Sequence, residues 1–368
     1  MLLVLLSATP ACRRSRGTAV DAYAFVAVAG NSTLAVVDLA SFSAVRHIPL
    51  GAAPVQIVSD PSRRAVYVMG EGGPAGLSVI DAARLEVKRS LWLAEKPQRL
   101  RLAPAGDRLY LIDGRAQLFK AFDLEKMVHG RQLRLSAAPV DFEVSADGRW
   151  ACVSLASGEA AVVDLARWKV TATPRLGGEL GPVAVRSDAR QAFVANRSPD
   201  SVAVLDLAAG RLVTHLPLNT RPEAMRFKPD GGELFVSGGS TGVVVILSAY
   251  RDEIDQPMLA GKEPRDMAIT HDNHLLFVAN SAANTVSVIN IDERRTLASV
   301  PVGEEPQRVA LTPDDQYALV LNRKSGDLAV IRVAAVTRPR PGGRGDIQPL
   351  FTLIPVGSRP VDLAVQSR

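Results

Sequence analysis

A chain of 368 residues, 47% hydrophobic and 22% charged, can bury a large core and is too apolar for a disordered protein. Its net charge of +5 is spread along the whole sequence. No basic run interleaves with aromatics, which are only 5% of residues, so no nucleic-acid partner is expected. The two cysteines, Cys12 and Cys152, cannot build a disulfide framework or a cysteine-rich metal site.

In chain order, the first element is the apolar run of residues 1–6, followed by Ser7-Ala8-Thr9-Pro10-Ala11. This is an h-region and a cleavage-type segment, too short to span a bilayer. Thr9-Pro10-Ala11-Cys12 resembles a bacterial lipobox, in which the cysteine becomes the lipidated first residue. Pro10, and an apolar run with no Lys or Arg before it, depart from that pattern. Residues 1–12 are read as signal peptide and lipobox, residues 13–21 as a tether, and residues 22–368 as the folded domain. The expected location is the bacterial periplasm or outer membrane, with Cys12 as the lipidation site and the lipid as the only membrane contact. Export without an anchor is the alternative.

Beyond the tether the chain repeats. A proline recurs in a fixed context at Pro54, Pro97, Pro139, Pro182, Pro222, Pro264, Pro306 and Pro360. A second marker ends a β-rich run at Asp38, Asp81, Asp123, Asp164, Asp206, Ser248, Asn290 and Arg332. Both keep a period of about 42 residues, which is the length of a propeller blade. The stretch 275–316 displays the unit: strand Leu276-Phe277-Val278-Ala279-Asn280, a turn, strand Thr285-Val286-Ser287-Val288-Ile289-Asn290, a third strand at 295–302, the turn Gly303-Glu304-Glu305-Pro306, and a fourth strand from Arg308. Runs of β-branched residues between Gly/Pro/Asn/Asp clusters read as strands, and Pro-Asp-Gly at 229–231 marks one turn chemistry. Cys152 lies in the apolar run Trp150-Ala151-Cys152-Val153 and reads as a small buried hydrophobe.

Four strands per repeat predict an all-β fold, a single eight-bladed β-propeller of four-stranded blades. The chain enters at a strand near residues 23–28 without a proline-led strand before it. It ends on Pro360-Val361-Asp362-Leu363-Ala364-Val365, a strand without a unit of its own. That last strand is expected to complete the first blade and close the ring. Were residues 22–50 only an incomplete cap, the ring would have seven blades.

The unit resembles the YVTN-type β-propeller repeat. Phe277-Val278-Ala279-Asn280-Ser281-Ala282-Ala283-Asn284-Thr285-Val286-Ser287-Val288-Ile289 is close to that signature, Phe193-Val194-Ala195-Asn196 repeats its start, and Gly303-Glu304-Glu305-Pro306 and Gly357-Ser358-Arg359-Pro360 match its Gly-x-x-Pro turn. The resemblance spans residues 22–368. It implies the propeller fold and little about function, since the family holds exported proteins, surface-layer proteins, lactonase-like enzymes and relatives of a nitrite-reductase haem domain.

The Gly-x-x-Pro turns and Asn196, Asn280 and Asn322 are expected on one face, with the residues after each proline around the channel mouth. The second position gives Gln56, Arg99, Asp141, Ala184, Ala224, Asp266, Arg308 and Asp362; the first adds Glu223 and Arg265; the fourth adds Arg101, Glu143, Arg186 and Arg226. Apolar residues such as Leu100, Phe142, Met225 and Val309 alternate with them, so one side is charged and the other packs. Arg99, Asp141, Glu223, Arg265, Asp266, Arg308 and Asp362 are the candidate ligand residues. The same charges would also serve as ion pairs between neighbouring blades.

Of the five histidines, His271 and His274 fall in a turn expected on the opposite face, which argues against a haem ligand pair. No catalytic set and no metal site is identified, and no cofactor is called for. An insertion of about twelve residues in the last unit carries Arg338, Arg340 and Arg344 and is expected on the face away from the Gly-x-x-Pro turns. The leading reading is a binding or scaffold protein at the bacterial cell envelope, its partner an envelope protein or a small polar ligand. A lactonase-like hydrolase and a haem- or redox-linked propeller are the alternatives.

Overall fold

The computed structural model describes residues 20–72, 76–93, 97–337 and 348–368. The segments expected as signal peptide, lipidated Cys12 and nearly all of the tether lie outside the described residues, as do Arg338, Arg340 and Arg344 of the insertion. The described chain forms eight four-stranded antiparallel sheets arranged as an eight-bladed propeller. The inner strands, numbered by blade from the second, are Ala53–Asp60, Pro97–Leu102, Pro139–Val144, Leu180–Val185, Pro222–Phe227, Pro264–Ile269 and Pro306–Leu311. Pro360–Ser367 is the inner strand of blade 1, antiparallel to Ala22–Val28, with Phe25 opposite Ala364. The ring therefore closes with three N-terminal strands and one C-terminal strand, which gives eight blades and not seven.

Burial follows strand position. Middle strands are covered by the blades on both sides, so they read as continuous apolar runs: Trp150–Leu155 and Leu275–Asn280 are buried at every residue. Outer strands face solvent, and Val128–Arg134 is exposed along nearly its whole length. Each blade buries its faces only against its neighbours, so the core is a set of inter-blade layers; Phe119 and Phe142, for example, meet edge-to-face across the gap between blades 3 and 4. Cys152 is fully buried in one such layer.

Two repeated turn devices position everything else. In the first-to-second strand turns a hydroxyl accepts the next strand's first N–H and donates to an Asp. Thr312 Oγ1 accepts from Tyr317 N at 3.1 Å and donates to Asp314 at 2.7 Å, and Thr270 and Ser145 do the same. In the third-to-fourth strand turns one residue takes a left-handed conformation and seals the gap toward the preceding blade. It is Phe42, Leu85, Met127, Trp168, Gly210, Asp252 and Arg294 in blades 1 to 7. Both turns share the bottom face, opposite the Gly-x-x-Pro turns. The insertion in blade 8 leaves from the short helix Val333–Thr337 and rejoins at Leu350, also at the bottom. No helix of the described residues is long and apolar enough to cross a membrane.

Candidate functional site

Every inner strand carries a register shift just after its strand-start proline, or Leu180 in blade 5, as between Pro306 and Arg308 or Pro264 and Asp266. The extra residue bends the strand and turns the second position toward the channel and the next blade. Four second-position side chains use this to clamp their neighbour. Asp362 Oδ2 accepts from Ile57 N at 3.0 Å, Asp266 Oδ2 from Val309 N at 3.3 Å, and Asp141 Oδ2 from Val183 N at 3.3 Å. Gln56 bonds Leu100 in both directions, at 2.9 and 3.0 Å.

These bonds expose one misaligned repeat. In blade 5, Leu180 opposes Asn196 as Pro306 opposes Asn322, and Val183 opposes Val194 as Val309 opposes Val320. Leu180 thus takes the buried strand-start that proline fills elsewhere. Pro182 lies inside the bulge, where a missing N–H is tolerated. Ala184 and Arg186 are therefore not ring residues. Ala184 is packed in an apolar layer, and Arg186 lies in the bottom turn, bonded to Asp188 at 2.9 Å and 4.8 Å from the Tyr250 ring centroid.

The remaining candidates do assemble around the mouth, in two groups. On blades 3 and 4, Asp141 lies 3.3 Å from Arg99 and 3.6 Å from Arg101, and Glu143 lies 3.0 Å from Arg101. Across the channel, Asp266 meets Arg226 at 3.0 Å and Arg308 at 4.0 Å, while Asp362 meets Arg308 at 3.2 Å. Burial opposes the charge on Arg101, but Glu143 and Asp141 outweigh it and hold the guanidinium above its ordinary pKa. Asp362 pulls the Arg308 pKa up in the same way. Burial pushes the Asp362 carboxyl up, and Arg308 and two backbone amides reverse only part of that.

Glu223 and Arg265 sit above this ring, on the top rim. Glu223 is 3.4 Å from Arg197 and 3.8 Å from both Arg221 and Arg265; Arg221 is 2.9 Å from Glu179. Sequence reasoning missed Arg197, Arg221 and Glu179. For Glu179 and Arg221 the signal is the residue just before each strand-start, a set that also holds Glu263, Glu305 and Arg359; Arg197 ends the second strand of blade 5 and donates its N–H to Glu179 O. At each residue of that set the carbonyl accepts the N–H of a strand-joining turn, as in Arg323 N to Glu305 O at 2.9 Å. Asn196, Asn280 and Asn322 are on this face as expected, but at most 1% exposed, so they tie the turns rather than meet solvent.

Three concavities adjoin on the top face over blades 6, 7, 8 and 1. One of about 300 Å³ is lined by Glu223, Arg265, Gln307, Arg308, Arg323 and Val361. A second of about 300 Å³ includes Glu263, Glu304 and Lys324, and a third of about 590 Å³ includes Arg323, Ser358 and Arg359. The histidines are elsewhere: His271 bonds Asp315 at 2.9 Å and His274 bonds Asp292 at 2.5 Å on the bottom face, and His47, His129 and His215 are on outer strands.

No protein-family model and no curated protein sequence matches the chain. Solved structures do. The chain is similar to Kuenenia stuttgartiensis hydrazine synthase, with TM-score 0.62 and 18% identity, over 76% of this chain and 96% of that one. It is also similar to the dihydro-haem d1 dehydrogenase NirN in complex with DHE, with TM-score 0.73 and 14% identity, over 97% of this chain and 77% of that one. At these identities the likeness establishes the propeller fold alone.

Proposed function

We propose that this chain is an exported binding protein of the bacterial cell envelope, built on YVTN-type repeats and lipid-anchored through Cys12. Its top face takes a polar ligand or the charged segment of an envelope partner. The observation that carries this reading is the adjoining set of concavities over blades 6, 7, 8 and 1, lined by both signs of charge. Concave sites with a few convergent polar groups are where ligands bind, and mixed charge favours a ligand that itself carries both signs.

A hydrolase is less well supported. Each carboxylate of the mouth is held by one or more arginines, which leaves none placed as a general base or metal ligand. Among the described residues no cluster of His, Cys, Asp and Glu could hold a metal ion. The likeness to NirN raises the redox reading, but a haem at this mouth would find guanidinium groups and no imidazole, because all five histidines lie off the top face. The residues therefore do not fit that group.

The test has two arms. Palmitate labelling and membrane fractionation of the chain expressed with its own leader should give a labelled membrane protein, and Cys12→Ser an unlabelled soluble one. Crosslinking on envelope preparations should give a product that Arg265→Glu/Arg323→Glu abolishes and the bottom-face variant His271→Ala retains. Equal yields from all three would overturn the top-face reading.

A further inference from the structure

The left-handed turn residue seals each inter-blade gap to a different degree. Between blades 3 and 4, Trp168 stacks on Tyr110 at 6.2 Å and Phe119 at 5.5 Å. Between blades 8 and 1, Phe42 packs on Tyr317 at 4.9 Å and Phe351 at 4.8 Å. Blades 2 and 3 meet differently. Tyr67 holds the position in blade 2 that Tyr110 holds in blade 3: each is the third residue of its strand, opposite Val79 and Ala121 respectively. The residue facing it is Met127, which is smaller and unbranched. A cleft of about 630 Å³ remains, with walls of Tyr67, Val79, Leu124 and Met127. Its rim carries Arg64, Lys88, Arg89 and Lys126, against Asp81 and Glu125. Among the described residues none of these four cations has an ion-pair partner within 4.0 Å, whereas Arg99, Arg221, Arg265 and Arg323 of the top face do. Asp81 is turned back onto the N–H groups of Ala83 and Arg84 at 3.0 and 2.9 Å, and it attracts Lys88 only through space.

We propose that this cleft is a binding site for a small amphipathic anion, an apolar body ending in a carboxylate, sulfonate or phosphate ester. The apolar walls take the body, and the four cations surround the mouth where the head group emerges. The volume is that of a small-molecule site, and the cations would pair with an anion beside apolar walls, where charge attraction is stronger than in open water. The proposal is independent of the top-face reading, since the cleft lies on the bottom outer edge of the ring.

The test uses the whole chain and two defined probes, 8-anilinonaphthalene-1-sulfonate and laurate. Fluorescence titration should give saturable sulfonate binding that laurate displaces. Met127→Trp, which copies the plug found at Trp168 in the same backbone conformation, should weaken binding at least tenfold with an unchanged melting temperature. Lys88→Glu/Arg89→Glu should weaken it by a similar factor without touching the walls. Decanol, the uncharged counterpart, should displace the probe at least tenfold more weakly than decanoate. Probe affinity unchanged in both variants would overturn the site. Equal displacement by decanol would overturn its anionic character, and equal displacement by inorganic phosphate its apolar one.

Discussion

The buried ion pair of blade 3 offers a measurable test of how this ring spends charge. Lys120 Nζ lies 3.3 Å from Asp113 Oδ2, with side-chain exposures of 7% and 1%. The other carboxylate oxygen accepts from Ala116 N at 3.1 Å, and the ammonium sits 5.8 Å from the Trp92 ring centroid. In blade 7 the matching positions are Asn280 and Ser287, joined by a neutral 2.9 Å bond, so the fold does not require charge here. Lys120→Met strands a buried carboxylate and should cost about 3–5 kcal/mol; Asp113→Asn strands the ammonium and should cost a similar amount. The double variant removes both charges, keeps an acceptor for Ala116 N, and should lie within about 1–2 kcal/mol of the parent. The interaction term from urea midpoints at constant slope is then about 4 kcal/mol or more. Additivity to within about 0.5 kcal/mol would refute the argument, because sites that add so closely do not interact.

Three further outcomes follow from named groups. Burial raises the Asp362 pKa, so its contribution to stability is full below the unfolded value and is lost as pH rises through the folded one; the melting temperature of Asp362→Asn relative to the parent should therefore climb as pH rises above the ordinary carboxylate value of 3.8, and a falling difference would contradict the assignment. The Cys152 thiol is pushed up to about 12 by burial, so in a Cys12→Ser chain a disulfide reagent at pH 8 should titrate no thiol until urea is added. A side chain at Gly30 would lie 2.2 Å from Ser358 Oγ and 2.6 Å from Ser358 O, so Gly30→Ala should destabilise the closing blade by about 1–3 kcal/mol, read as a lower urea midpoint.

The period, the turn chemistry and the closure were legible because each is local. Thr312-Pro313-Asp314 announces its own turn, and the unpaired strand after Pro360 has one place to go. Blade 5 was misread for an equally physical reason. Pro182 looks like a strand-start proline, yet the feature that matters is a buried first residue followed by a bulge, and Leu180 satisfies it. The plug series from Phe42 to Arg294 escaped notice because its residues share a backbone conformation and not a chemistry. Phe, Leu, Met, Trp, Gly, Asp and Arg do not form a pattern until their left-handed φ is known.

The charged residues carry a signal that the period itself explains. In a ring of 42-residue blades, equivalent positions on adjacent blades are neighbours. Arg99 and Asp141, Arg101 and Glu143, Glu179 and Arg221, Glu223 and Arg265, and Asp266 and Arg308 are each 42 apart in sequence and each pair in space. Opposite charges one period apart can thus be assigned as inter-blade staples from sequence alone. A charge whose equivalents one period away are neutral or alike is what remains for a ligand. By that rule the mouth ring is mostly structural. Arg89 passes the same filter, because the positions one period away that match it in strand register are Arg46 and Arg131. The rule does not make the two roles exclusive, since Glu223, Arg265 and Arg308 staple neighbouring blades and also line the top-face concavity.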